Sequence, residues 1–181
     1  MAHPAQLSFI NAVKGMYGEY FTNSKVLEVG SLNINGTVRQ FFTSPSLYVG
    51  IDVGEGPGVD VVCEGQNYDT SERFDCVISC ECMEHNPEWK DTFANMIRLC
   101  RPGGIVIMTC ATTGRAEHGT SRTTPQDSPL TIGRGWEYYC NLTPDDFTAA
   151  FCLGECFRYF GFETNPEAHD LYFVGVKHNE S

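Results

Sequence analysis

The chain has 181 residues, 12 Lys+Arg against 23 Asp+Glu, a net charge of −11 and 41% hydrophobic residues. That length suits one globular domain with a sizeable core and leaves little for a second. The composition is not that of a disordered chain, no apolar run spans a bilayer, and the acidic balance argues against broad phosphate-backbone binding, which needs clustered Lys and Arg.

The start, Met1-Ala-His-Pro-Ala-Gln6, lacks the basic and apolar regions of a secretory signal. Phe9, Val13, Met16, Tyr17 and Tyr20 recur at helical spacing, so residues 6–22 read as an amphipathic helix, either packed on the body or acting as a lid. Residues 25–29 are a short buried strand ending at Gly30. Asn35 is placed to cap a helix through Val38, Phe41 and Phe42. Residues 47–51 form a second strand ending at Asp52, and 59–62 a third. Residues 74–79 form a fourth, and Pro87 opens a helix through Trp89, Phe93, Met96, Ile97 and Cys100. Arg101-Pro-Gly-Gly104 breaks that helix before a fifth strand at 105–109. Residues 111–142 are polar and rich in Gly, Thr and Pro, a length of loop that is usually functional or mobile. Thr143-Pro-Asp-Asp146 starts a helix over 144–157, and strands at 157–164 and 171–177 close the chain as a hairpin.

Strands that alternate with helices imply an α/β fold with a mostly parallel, helix-covered sheet, one strand of the final hairpin being antiparallel. The nine cysteines are an odd count without an export signal, which points to a reduced, cytoplasmic chain. Cys80-Glu-Cys82 is half a metal site at most, and Cys152 and Cys156 share a helical face without further ligands. No metal is expected from these pairs.

A sheet of this kind binds ligands at the carboxyl ends of its strands, at the topological switch point. Three signals sit there. Glu28-Val-Gly30-Ser31 ends the first strand, and the following helix N-terminus would offer free N–H groups. Asp52 ends the second strand, where a carboxylate accepts from ribose hydroxyls. Glu64 follows the third, within reach of an adenine amino group. Each is weak alone: a Gly after a strand is often only a turn. The ordered set describes a nucleoside lying across the sheet.

Val26-Leu-Glu-Val-Gly-Ser31, Tyr48-Val-Gly-Ile-Asp52, Phe74-Asp-Cys-Val-Ile-Ser79 with Glu84-His85, and Leu99-Cys-Arg-Pro-Gly-Gly104 follow one another in order. This series resembles the class I S-adenosylmethionine-dependent methyltransferases over roughly residues 25–110. The resemblance implies a Rossmann-like seven-stranded sheet with the last strand antiparallel and helices on both faces. It implies that Glu28 and Gly30 lie near the methionine part of S-adenosylmethionine, Asp52 on the ribose, Glu64 at the adenine edge, and Ser79 and Cys80 beside the sulfonium. The family's Gly-x-Gly-x-Gly loop is Gly30-Ser-Leu-Asn-Ile-Asn-Gly36 here, with Ser31 small enough for close approach. The same loop does not fit the G-x-G-x-x-G of a dinucleotide site, which ranks a nicotinamide oxidoreductase last.

Methyl transfer from a sulfonium needs alignment and exclusion of water, and a base only where the acceptor keeps a proton. His85, His118 and Tyr139 are the candidate catalytic residues, with Glu81 a further candidate base. Arg115, Arg122, Arg134, Trp136 and Tyr138 share the 111–142 segment and offer either a recognition surface for an anionic group or a solvated loop pinned by its aromatics. The expected acceptor is a small polar metabolite methylated on O or N, such as a sugar or nucleotide-sugar. The alternatives are a binding protein without turnover and a methyltransferase for protein or nucleic acid, with no membrane partner and the oligomeric state open.

Overall fold

A computed structural model describes residues 3–180; Met1, Ala2 and Ser181, which the readings of the N-terminus and the domain bounds include, lie outside them. Seven strands form one sheet: β1 (Lys25–Val29), β2 (Leu47–Asp52), β3 (Val61–Val62), β4 (Phe74–Cys80), β5 (Cys100–Ala111), β6 (Phe157–Asn165) and β7 (Asp170–Lys177). Their order is β3-β2-β1-β4-β5-β7-β6. The β1, β2, β3, β4 and β5 pairings are parallel, whereas β7 runs antiparallel to both β5 and β6. The expected sheet is therefore present, and its strand order reverses between β1 and β4.

Alternation along the strands sorts the core into two layers. Ile105 and Ile107 of β5, with Cys76 and Ile78 of β4, face α1 (Pro4–Met16) through Ile10 and Val13. Val106 and Met108, with Val77, face α2 (Trp89–Leu99) through Phe93 and Met96. Phe93 is fully buried and meets Phe147, Phe151 and Phe173. Truncating such a ring to Ala costs about 3–5 kcal/mol. All nine cysteines are free thiols, and Cys76, Cys100 and Cys110 are fully buried as small hydrophobes.

Four elements differ from the sequence expectation. The N-terminal helix ends at Met16, and Gly18–Tyr20 is a separate 3₁₀ turn. The helix expected after Asn35 is only a 3₁₀ turn, Val38–Phe41, whose cap is Thr37: its Oγ1 accepts from Arg39 N–H at 3.2 Å. Arg39 is drawn instead to the Gly58 carbonyl and Asp60, across β2. No α-helix N-terminus is thus available at the first loop. The helix expected over 144–157 splits into α4 (Pro144–Ala150) and α5 (Leu153–Cys156), because Phe151 is extended and turns its ring onto Phe93. Cys152 and Cys156 consequently do not share one helical face. The Arg101–Gly104 stretch bulges where β4 pairing jumps from Cys100 to Ile105, rather than separating helix from strand.

Among the described residues no helix is long and apolar enough to cross a membrane. Within the 111–142 segment a 3₁₀ turn (Pro125–Asp127) and a short helix α3 (Pro129–Gly133) form.

Candidate active site

A pocket opens at the carboxyl ends of β1, β2 and β4, at the point where strand order reverses, the place a doubly wound sheet keeps for ligands. Gly30, Leu32 and Asp52 line one side, Glu81, Cys82 and His85 another, and Asp127–Thr131 cover it. It continues into a second lobe lined by Ile51, Val53, Cys63, Thr131 and Trp136. A small adjoining recess is lined by Glu28, Gly30, Leu32, Gly36 and Cys80.

Gly30 sits at φ +78°, and a Cβ there would fall 2.7 Å from Cys82 Cβ and 2.8 Å from its sulfur. Its lack of a side chain therefore lets the loop after β1 close onto the loop after β4. Asp52 Oδ2 accepts from Leu32 N–H at 2.9 Å and Oδ1 from Val53 N–H at 2.7 Å. Burial pushes its pKa up and these backbone bonds pull it down, with burial prevailing. Glu28 is buried, accepts from the Tyr48 hydroxyl at 2.8 Å and lies 3.8 Å from Arg39 Nε. Burial raises its pKa to about 7, against the hydrogen bond from Tyr48.

The other residues expected around a cofactor stand further back. The Ser79 hydroxyl is buried and donates to Val29 O at 2.8 Å, tying β4 to β1. Ser31 is buried with its hydroxyl against Gly50. Cys80 reaches the recess. Glu64 is engaged by Arg134, by Gln66 Nε2 at 3.0 Å and by Asn67 Nδ2 at 2.8 Å.

The three residues expected to be catalytic, His85, His118 and Tyr139, are brought together from a stretch of 55 residues. His85 and His118 meet edge to face with ring centroids 4.8 Å apart, and Tyr139 lies 4.9 Å from His118 and 5.5 Å from His85. The Cys140 N–H donates to Glu84 O at 2.9 Å, which fixes Tyr139 beside this pair. Of the three, His85 lines the pocket. Burial, followed by His118, depresses its pKa to about 3, so its imidazole is neutral at physiological pH. Its Nδ1 and the Tyr139 hydroxyl are sealed from solvent without a hydrogen-bond partner, as is Glu84 Oε2. Glu84 Oε1 accepts from Ala111 N–H at 3.1 Å, and burial raises the carboxyl pKa to about 8.

Glu81 has a left-handed backbone, φ +52°, and accepts from Thr109 Oγ1 at 2.8 Å. His3, at the start of α1, lies 3.2 Å from Asp170 and 3.8 Å from Glu81. The proximity of these carboxylates, Asp170 first, raises the His3 pKa to about 9. α1 therefore lies along the sheet, Phe9 stacked on Tyr172 at 4.2 Å, with its first residues pinned beside the pocket rather than across it.

The loop arginines do not form a free basic surface. Arg115 pairs with Asp170, Arg122 with Glu117 and Arg134 with Glu64. Sequence reasoning missed Cys82, Leu32 and the Ser128–Thr131 cover. Only the doubled Cys at 80 and 82 signalled the first, and nothing local signalled the cover.

Residues 49–108 match the methyltransferase domain family. The fold matches that of Burkholderia thailandensis 1,6-didemethyltoxoflavin-N1-methyltransferase, solved with S-adenosylhomocysteine, at TM-score 0.65 and 16% identity over 97% of this chain and 79% of that one. It also matches N-methyltransferase NodS of Bradyrhizobium japonicum, at TM-score 0.61 and 12% identity over 96% and 86%. Phosphoethanolamine N-methyltransferase 2 of Haemonchus contortus matches at TM-score 0.64 and 14% identity, over 95% of this chain but 53% of that one. No curated protein matches by sequence. The chain therefore has the fold of the class I S-adenosylmethionine-dependent methyltransferases, and its central residues 49–108 match their methyltransferase domain. The pocket suits that cofactor chemically: carboxylates at β1 and β2 for an ammonium and two hydroxyls, and an apolar lobe for a base.

Proposed function

We propose that this chain transfers a methyl group from S-adenosylmethionine, and that its acceptor is a small polar molecule methylated on O or N, with a sugar-type hydroxyl the best chemical fit. The observation that carries this reading is the pocket itself, with Asp52 on one wall and His85 on the other. S-adenosylmethionine supplies the activated methyl group when bound. In this reading Asp52 accepts from the ribose hydroxyls, and Glu28 holds the ammonium end. Val53, Cys63 and Trp136 hold the adenine, with Glu64 at its edge.

The Ser128–Thr131 cover excludes water, which matters because displacement at a sulfonium is governed by alignment and desolvation. His85 presents a neutral imidazole to the acceptor, with His118 and Tyr139 behind it. Such a group orients a hydroxyl or amine and receives its proton where one must leave. The pairing of Arg115, Arg122 and Arg134 with carboxylates supports a neutral acceptor over a nucleotide-linked one, and a small molecule over nucleic acid.

The test is a methyl-donor assay against fractionated metabolites, read by a mass gain equal to one CH₂, with calorimetry of S-adenosylhomocysteine binding alongside. Transfer to a polymer fraction alone would overturn the small-acceptor reading.

A further inference from the structure

Behind the pocket wall, one carboxylate oxygen of Glu84 and one ring nitrogen each of His85 and His118 lie within 4.8 Å of one another. We infer that this cluster is a binding site for a single borderline divalent metal ion of the Zn²⁺ and Co²⁺ class.

Three independent features carry the inference. First, the donor set is two imidazoles and a carboxylate, a combination that suits first-row divalent ions, with coordination positions left over. Second, Glu84 is fully buried and His85 is 4% exposed, yet Glu84 Oε2 and His85 Nδ1 have no hydrogen-bond partner. Sealed polar atoms of this kind are rare in folded proteins and mark a missing ligand. Among the described residues no Lys or Arg pairs with Glu84, whose Oε1 is held by the Ala111 N–H. A cation between these atoms satisfies both.

Third, His118 is oriented as a metal ligand is. Its Nδ1 lies 3.1 Å from the Ala116 carbonyl, which only accepts, so Nδ1 carries the proton and Nε2 keeps its lone pair free. The Tyr139 hydroxyl is also sealed and unpartnered, and its ring lies beside both imidazoles.

A tetrahedral shell with ligand distances near 2.1 Å spaces its donors roughly 3.4 Å apart. The widest pair must therefore close by roughly 1.4 Å, a movement that side-chain rotation of His118 on its loop supplies. Binding of the ion stands on this geometry alone. Its consequence for methyl transfer rests on the acceptor reading above: a cation at this wall lowers the proton affinity of an acceptor oxygen that touches it, and His85 then serves by holding the ion.

The experiment uses the full chain stripped with a chelator and titrated with Co²⁺ alone, followed by visible absorption and calorimetry. The expected result is one ion per chain with imidazole and carboxylate coordination and no thiolate charge-transfer band. His118→Ala, on the loop, and Glu84→Gln, which keeps shape, are each expected to weaken binding at least tenfold. S-adenosylhomocysteine binding by both variants verifies that they are folded. No stoichiometric binding to the wild type, a thiolate spectrum, or unweakened binding by both variants would overturn the inference. S-adenosylhomocysteine is titrated into the same stripped protein. Its failure to bind counts against the methyltransferase reading and not against the ion, whereas its binding to a chain that takes no Co²⁺ counts only against the ion.

Discussion

On the β1–β2 side of the pocket, each carboxylate is tied to the framework: Asp52 to two backbone N–H groups and Glu28 to the Tyr48 phenol. On the β4–β5 side, Glu84, His85 and Tyr139 each hold a sealed polar atom with no partner. The two carboxylates of the first wall are pre-set by strand ends and have their hydrogen bonds without a ligand. The second leaves three sealed polar atoms without partners. On the function proposed above, the contrast assigns donor recognition to the sheet and acceptor handling to the segment laid across it.

The largest effect should come from removing the anchor of the pre-set wall. Asp52→Ala deletes two hydrogen bonds to a charged group and strands the Leu32 and Val53 amides, so calorimetry should show S-adenosylhomocysteine binding weakened about 100-fold or more. An affinity within twofold of wild type would break the division of labour at its strongest point. His85→Ala should do the reverse. Turnover is expected to fall about 100-fold, a magnitude usual for a positioned acid–base group, while S-adenosylhomocysteine binding stays close to wild type. A parallel loss of both would show that the two walls are not separable.

Glu28→Gln should weaken donor binding about tenfold. It should also change the pH profile. With its pKa raised to about 7, Glu28 is charged only above that value, so wild-type affinity for an ammonium ligand should drop as pH falls below 7 and the variant's should not. The smallest effect concerns the helix whose first residues are pinned beside the pocket. The His3 pKa is raised to about 9, so its contribution to stability is complete below about pH 6.5 and is lost as pH rises through 9. The melting temperature of the wild type should fall by a few degrees more than that of His3→Gln between pH 6.5 and 9.5. Parallel curves for the two proteins would remove His3 from this account.

The pre-set wall was legible because its residues are read locally. A short apolar run followed by Gly30, and another followed by Asp52, locate strand ends without knowledge of the rest of the fold. The sheet order followed from alternation and from the final hairpin. The other wall was legible only in membership. His85, His118 and Tyr139 were nameable as chemistry-bearing residues, but their convergence depends on the Cys140–Glu84 bond and on how residues 111–142 fold over β4 and β5. Pro129-Leu-Thr-Ile-Gly133 is too short to show helical periodicity, so the pocket cover left no trace in the pattern. The absent helix at 36–42 and the break at Phe151 have one cause. Arg39 and Phe151 find tertiary partners, Asp60 and Phe93, that outweigh local helical preference.

The position of β7 has a consequence for the order in which the molecule is made. Among the described residues β6 lies at the sheet edge and pairs only with β7, which is the last strand there and sits between β6 and β5. Asp170, the first residue of β7, takes Arg115 from the long segment, the Tyr172 hydroxyl and His3 from the N-terminal helix. During synthesis from the N-terminus, β1 to β5 and the Asp52 anchor emerge before this carboxylate does. A nascent chain can thus assemble the strand-end wall of its pocket while the clamp joining its two remote segments is still inside the ribosome, and the side covered by the long segment is sealed last.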